Sequence, residues 1–210
     1  PTREAIDPVR YISNHSSGKQ GYALAEAAVA LGAETVVISG PVSLPIPPGA
    51  QVRPVESAVE MLEACQEEMP CDIAIFAAAV ADWRVSGVAD QKIKKGSGGL
   101  PTLQLVENPD ILRTISNLKR QRPVLAVGFA AETEKVIAHA REKLAKKGCD
   151  LIIANDVSAD TGVFGGDHNQ VHLVTATDVE SWPDMTKREV ADKVMARLAS
   201  MLPKAGEDKT

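Results

Sequence analysis

The chain has 210 residues, a formal net charge of −5 at neutral pH, 44% hydrophobic residues and only 3% aromatic ones. That length builds one generous α/β domain, or one domain with a small appendage. The acidic balance and the scarcity of aromatics work against a nucleic-acid or anionic-membrane partner, which needs a dominant basic patch and, for single strands, stacking platforms.

In chain order, the pattern predicts a glycine- and serine-bearing opening loop, a helix over 20–32 and a strand over 35–39. Residues 41–54 hold five prolines and read as a stiff surface crossover. A helix over 57–69 and an apolar strand over 72–79 follow, then a long polar loop over 82–100. Next come a short strand over 103–106, a helix over 109–119 opened by Asn108 as cap with Pro109 in its first position, and a strand over 124–129. A helix over 132–147, strands over 151–154 and 171–175, and a last helix over 187–202 complete the alternation. Continuous apolar strands are expected where helices cover both sheet faces, so the fold class is α/β, a doubly wound and mostly parallel sheet in three Rossmann-like layers. One domain is expected over 1–202, with a flexible tail over 203–210.

The opening loop, Asp7 to Gly21, carries the strongest chemical signal. Glycines 18 and 21 let the backbone approach a ligand, and the free N–H groups of the next helix favour an anion. Ser16, Ser17 and Lys19 add side-chain donors. A plain serine cap explains the same residues, and the spacing fits neither the P-loop nor the dinucleotide glycine pattern.

In an open α/β sheet ligands gather at the carboxyl ends of the strands, where Asp82, Phe129 and Asn155 are expected to lie. Asp82 can hold Mg²⁺, orient a hydroxyl, or simply shape a turn. Lys92, Lys94 and Lys95 can clamp a polyphosphate or face water as a solvated basic loop. Val136, Ala140, Lys143 and Lys147 share one helical stripe, so the last turn should stand at the edge of a cleft, unless both lysines serve the helix C-terminus. Long glycine-bearing loops, 82–100 and 158–170 with Gly162, Phe164, Gly165 and Gly166, read as lids or loop tips.

Cys65, Cys71 and Cys149 form no CxxC pair and read as buried thiols in a reducing, cytoplasmic setting. His15, His139, His168 and His172 make no HExxH arrangement, which argues against zinc; His168 and His172 read as loop and strand-surface residues. No apolar run is long enough to cross a bilayer, and no stretch at the start reads as a signal peptide.

Taken together, these segments resemble phosphopantothenoylcysteine synthetases of the bacterial type. The resemblance is carried by Pro-Thr-Arg-Glu at 1–4, Asp-Pro-Val-Arg-Tyr-Ile-Ser-Asn-His-Ser-Ser-Gly-Lys at 7–19 and Ser-Gly-Pro-Val-Ser-Leu-Pro at 39–45. It continues through Ala-Ala-Val-Ala-Asp at 78–82, Lys-Ile-Lys-Lys at 92–95 and Asn-Pro-Asp-Ile at 108–111. Val-Gly-Phe-Ala-Ala-Glu-Thr at 127–133 and Ala-Asn-Asp-Val-Ser at 154–158 complete it.

The resemblance implies a ligase that joins 4′-phosphopantothenate to L-cysteine using CTP and Mg²⁺ through an acyl-cytidylate, with no flavin in this chain. It implies that Asn14 holds and turns over the acyl intermediate, that Lys92 assists its formation, and that Arg10 reaches the phosphopantothenate of a partner subunit in a homodimer with shared sites. Ala78, Ala79 and Asp82 would line that substrate's pocket. Ser16, Gly18, Gly21, Phe76, Ala77, Ala78, Asp82, Lys92, Phe129 and Asn155 would hold the nucleotide, with Pro109, Asp110, Ile111, Leu112, Lys143 and Lys147 reading its base. The family pattern has a first strand ending in glycine before Pro1, which this sequence lacks. It also has, in many bacteria, a fused flavin-dependent decarboxylase half, likewise absent here. Two other readings remain open at this point: a non-catalytic phospholigand-binding module, and a Rossmann-type oxidoreductase, which would need an acidic residue closing the second strand where Ser39-Gly40-Pro41 stands.

Overall fold

A computed structural model describes residues 1–94, 101–156 and 167–203. Lys95, the glycines at 96, 98 and 99, the segment 157–166 with Gly162, Phe164, Gly165 and Gly166, and the tail from 204 lie outside the described residues. The elements are β1 (Glu4–Ala5), β2 (Tyr11–Ile12), α1 (Lys19–Ala30), β3 (Val36–Ser39), β4 (Gln51–Pro54), α2 (Ala58–Glu67), β5 (Ile73–Phe76), β6 (Trp83–Val85) and β7 (Leu105–Glu107). They continue with α3 (Ile111–Ser116), β8 (Leu125–Glu132), α4 (Val136–Lys147), β9 (Leu151–Asp156), β10 (His168–Asn169), β11 (Val171–Val174), β12 (Val179–Ser181), β13 (Met185–Thr186) and α5 (Lys187–Met201).

The central sheet has five strands in the order β12-β11-β9-β8-β5. β5, β8 and β9 are parallel, with Phe76 opposite Gly128 and Phe129 opposite Ile153; β11 and β12 extend the sheet as an antiparallel ribbon. A separate parallel pair, β3 and β4, stands outside this sheet, so β5 is its edge strand. The fold is thus α/β with helices on both faces, as the alternation implies.

Side-chain alternation along β8 and β9 explains the three layers, because successive residues of a strand point to opposite faces. Val127, Leu151 and Ile153 pack under α1 and α5 with Leu24, Ala28, Val190, Val194 and Leu198. Ala126, Ala130, Ile152 and Ala154 pack on the other face with Ala140 and Leu144 of α4. Ile152 and Ile153 are both fully buried, and burying side chains of that size contributes about 1.5–3 kcal/mol each. A third cluster, Val55, Met61, Ala64, Ile111 and Ile115, joins α2 to α3.

Four expectations need correction. The apolar run at 72–79 forms a strand only over Ile73–Phe76, because the N-terminal segment takes the backbone groups that follow: Thr2 N–H donates to Ala79 O at 3.4 Å, and Ala81 N–H donates to Thr2 Oγ1 at 3.1 Å. The proline-rich crossover ends in a strand, β4, paired with β3. The long loop after Asp82 contains β6, which pairs antiparallel with β7 outside the main sheet. The cap of α3 is Asp110, whose side chain accepts the Arg113 N–H at 3.1 Å, and Pro109 precedes that cap.

Gly128 is where helix, sheet and site-bearing strand meet. A β-carbon there would stand 2.5 Å from Leu112 Cδ2 of α3 and 2.8 Å from Ile152 Cδ1. Gly128→Ala should therefore make the Leu112 and Ile152 side chains repack and lower stability by about 1–3 kcal/mol, read as a lower urea midpoint with an unchanged slope.

Candidate active site

The opening loop is held down by buried polar side chains. Thr2 is fully buried and ties the N-terminus to Ala79 and Ala81, while its carbonyl accepts from Ser13 Oγ at 2.6 Å. Buried Glu4 accepts the Ala58 N–H at the start of α2, where a carboxylate suits the helix dipole. Asp7, 3% exposed, accepts from Val9 N–H and Arg10 N–H at 2.9 Å each, from the Arg10 guanidinium, and from Ile93 N–H at 3.1 Å. Its carboxyl is held far below the usual carboxylate range, first by the Arg10 guanidinium; burial pushes the other way and is outweighed by these N–H groups.

The loop so anchored presents donors to a cavity of about 610 Å³ lined by Arg3, Tyr11, Ser13, Asn14, His15, Ser16, Ser17 and the segment 41–44. Asn14 Nδ2 donates to Val80 O at 2.9 Å, which leaves its Oδ1 without a partner among the described residues. Helix α1 starts at Gly18, whose φ of 76° is left-handed and whose β-carbon would lie 2.8 Å from Val42. No side chain caps α1 and no acid occupies its first turn. Ser16 Oγ and Ser17 Oγ accept only the Gly18 and Lys19 N–H groups, at 3.3 and 3.4 Å, and the next two N–H groups find no backbone acceptor. Helices α2, α3 and α5 by contrast carry side-chain caps from Ser57, Asp110 and Thr186. Ser16 and Ser17 thus serve in part as the plain cap, but the Gln20 and Gly21 N–H groups are left over, so the start of α1, like that of α4, retains positive character that attracts anions.

Gly21 of α1 faces the end of β5 with room for a side chain, since a β-carbon there would lie 4.0 Å from Ala77 Cβ, an ordinary contact. Beyond Phe76 and Ala77, Ala78 is exposed and Ala79 half-buried. Asp82 is exposed, six residues past the end of β5, and its carboxylate makes no hydrogen bond or ion pair among the described residues. Phe129 lies within β8, not at its carboxyl end, because β8 runs on to Glu132 beside the longer β9. Asn155 is buried next to the end of β9, opposite Ala131 and Val171.

A second cluster stands between α3 and α4. Lys143 Nζ donates to Phe129 O at 2.7 Å, and burial pushes its pKa down, with the Lys147 charge adding to the effect. Lys147 pairs with the Asp110 carboxylate. Burial raises the Asp110 pKa, but the Lys147 hydrogen bond, the Arg113 N–H and both cations outweigh it, for a net downward shift. The structure thus joins Asp110, Leu112, Phe129, Lys143 and Lys147 in one group, and Asn14, Ser16 and Gly18 in another around the cavity. Lys92 is exposed and reaches neither group, although Ile93 next to it is fixed to Asp7.

Sequence reasoning missed Thr2, Glu4 and Asp7 as anchors, and Arg3, whose guanidinium lies 4.9 Å from the Tyr11 ring centre at the cavity wall. The Pro-Thr-Arg-Glu and Asp-Pro runs were visible, but a buried role for short polar residues leaves no periodic signal. Among the described residues no three His, Cys, Asp or Glu gather to hold a metal, and no helix is long and apolar enough to cross a membrane. Cys65 and Cys71 are half-buried and Cys149 buried, all three free; burial pushes the Cys65 thiol up to about 11.

Residues 1–202 match the family model described as the C-terminal domain of DNA/pantothenate metabolism flavoproteins. The chain belongs to this family. It is 47% identical over 210 residues to the coenzyme A biosynthesis bifunctional protein CoaBC of Bacillus subtilis (99% of this chain, 51% of the relative) and 51% identical over 176 residues to that of Escherichia coli K12 (82% and 43%). The chain spans about half the length of these curated relatives. Its fold is that of the crystallised C-terminal domain of a CoaBC, with a TM-score of 0.79 at 39% identity over 96% of this chain and 91% of that one. A Cab2 mutant in complex with phosphopantothenate-cysteine shares the fold at 18% identity and a TM-score of 0.70, over 95% of this chain and 84% of that one.

The Asp110–Lys147 pair closes α3 onto α4, and its contribution has a defined pH range. Because the folded-state carboxyl lies below its unfolded value of about 3.9, the stabilisation is fully present above that value and is lost as pH falls through the folded value. Asp110→Asn keeps an oxygen for the Arg113 N–H but removes the charge. It should lower stability by about 0.5–1 kcal/mol between pH 5 and 7, and the difference from wild type should shrink as pH falls below the unfolded carboxyl value; denaturant titrations across pH measure both.

Proposed function

We propose that this chain is a phosphopantothenate–cysteine ligase that activates the carboxylate of 4′-phosphopantothenate with CTP and Mg²⁺ and passes the acyl group to the amine of L-cysteine. The observation that carries this reading is a 610 Å³ cavity lined by Arg3, Asn14, Ser16 and Ser17, next in sequence to the glycine-capped start of α1. Membership of a pantothenate-metabolism family supports it. A carboxylate is a poor acyl donor until one oxygen becomes part of a good leaving group, and bringing two anions together requires placed cations and donors.

In this reading the phosphates rest on the N–H groups of α1 beside Ser16, Gly18 and Gly21, with Phe76, Ala77, Phe129 and Asn155 forming the floor. Lys143, Lys147 and the turn from Pro109 to Leu112 face the cytosine. Lys92 neutralises charge as the carboxylate attacks the α-phosphorus and pyrophosphate leaves. Asn14, fixed by Val80 O, holds the acyl-cytidylate while the amine attacks its carbonyl and CMP departs. Mg²⁺ is characteristically held by one or two carboxylates and substrate phosphates, and the uncommitted Asp82 carboxylate fits that pattern. Ala78, Ala79 and Asp82 line the phosphopantothenate pocket.

Arg10 spends Nε and Nη2 on Asp7 and Ile93 O, and Nη1 has no partner among the described residues. That free edge suits the phosphate of a substrate in a neighbouring subunit. The exposed apolar side chains of Trp83, Leu105 and Val106 on the β6–β7 hairpin offer a surface for a second copy. The curated relatives are bifunctional, which supports a decarboxylase partner domain in the whole protein, and a cytoplasmic setting follows from that metabolic role.

Pyrophosphate release compared with CTP, ATP and UTP tests the reading: dependence on phosphopantothenate with a preference for CTP is expected, and binding without release would mark a non-catalytic module. Lys92→Gln should cut the first half-reaction about 100-fold, the typical cost of losing one charge-stabilising group. Asn14→Asp should leave that half-reaction intact yet slow transfer to cysteine to a similar degree, so that quenched reactions accumulate acyl-cytidylate; product formation at the wild-type rate would remove Asn14 from its role.

A further inference from the structure

We propose that Asp7 is a positioning residue that sets the Lys92 loop and the Arg10 guanidinium in place for carboxylate activation, acting through both without touching substrate; this rests on the ligase reading above. Its two oxygens divide the work. Oδ1 accepts the Val9 and Arg10 N–H groups at 2.9 Å, which is a local turn two and three residues ahead. A turn aspartate needs no more than that. Oδ2 is committed elsewhere, to Arg10 Nε at 3.0 Å, to Arg10 Nη2, and to Ile93 N–H at 3.1 Å across 86 positions of sequence.

The residue after Lys92 is held from both sides, since Ile93 donates to Asp7 and its carbonyl accepts Arg10 Nη2 at 2.9 Å. Ala89 N–H adds a bond to Ile6 O at 3.0 Å, so the tether spans the approach to Lys92 as well. Lys92 itself is exposed, and among the described residues no other hydrogen bond fixes the loop at this point. The Asp7 side chain is entirely covered, a costly place for a carboxylate unless its donors are all present. The same oxygen orients Arg10 so that Nη1 is the edge left for a ligand.

Asp7→Asn separates the two duties, because Oδ1 keeps the turn while an NH₂ group replaces Oδ2 and faces three donors. Trypsin cleavage after Lys92 should become about tenfold faster, since the bond can then be drawn into an extended conformation. The kcat for phosphopantothenate-dependent pyrophosphate release should fall about 30-fold with the KM for CTP within about threefold, as expected when a catalytic group is displaced by roughly an ångström. In the Lys92→Gln background, Asp7→Asn should add less than about threefold, because both act on one step. Should Asp7→Asn fail to fold, Asp7→Ser, which accepts from the turn but cannot reach Ile93, replaces it. Unchanged cleavage, a released loop with undiminished kcat, or fully multiplicative losses would each overturn the proposal. A wild-type chain inert with every nucleotide would instead overturn the ligase reading, and with it the catalytic part of the proposal; in failure of the proposal alone, wild type turns over and Asp7→Asn matches it.

Discussion

The backbone that follows β5 leaves the central sheet because the N-terminal segment captures its hydrogen-bonding groups, and the candidate site depends on that capture. Ala79 O, Val80 O and Ala81 N–H would continue a parallel ladder in an ordinary strand; here they bind Thr2 N–H, Asn14 Nδ2 and Thr2 Oγ1. Each buried backbone group must be paired somewhere, so the segment Ala77 to Asp82 can open as a ledge only because Thr2 and Asn14 supply partners. The same contacts bring Asn14 to the end of β5. Thr2, Glu4 and Asp7 are among the few buried polar residues of the described chain, and all three fasten the N-terminal segment to its surroundings.

Electrostatics follows from the same arrangement. The molecule is acidic overall, so attraction for an anion has to come from local geometry, not from net charge. Near the cavity the ingredients are an uncapped helix start, two serine hydroxyls, and Arg3 held over Tyr11. Lys19, the first residue of α1, is paired with Asp167 at 2.7 Å, an exposed contact of small strength that a polyphosphate can displace. Helices α2 and α5 begin with Glu60 and Glu189 in their first turns, which neutralises the dipole that α1 keeps.

The layered core was legible because β8 and β9 carry continuous apolar runs and α1, α4 and α5 repeat with helical period; those signals survive any detail of pairing. The stripe of Val136, Ala140, Lys143 and Lys147 was legible for the same reason, and Lys143 and Lys147 stand where the period puts them. Elements defined by partners and not by period were hidden. β4 lies in a proline-rich stretch, where Pro54 can end an edge strand, and β6 pairs only with β7, itself expected as a short strand over 103–106. Phe129 was misplaced because β8 gains three more residues by pairing with β9, a tertiary gain that propensity does not record. Asp7 read only as the first residue of the opening loop; its bond to Ile93 could not be seen without the loop that comes 86 residues later.

Lys143 gives the strongest internal argument that the second cluster serves a ligand. An ammonium carries three donors, and this one spends a single hydrogen bond on Phe129 O while burial and the adjacent Lys147 both disfavour its charge. Lys147 has the Asp110 carboxylate; Lys143 has no carboxylate within bonding reach. For stability alone, an apolar side chain of similar length would fill the same space at no desolvation cost, as replacements of buried charges by hydrophobic residues commonly show. In the proposed reading such a cation awaits an electron-rich partner, and the carbonyl and ring nitrogen on one edge of a pyrimidine base would supply such acceptors. On the reading proposed above, Lys143, held against the backbone of Phe129 on the strand beside β5, would receive the base of the nucleotide, and the start of α1 its phosphates.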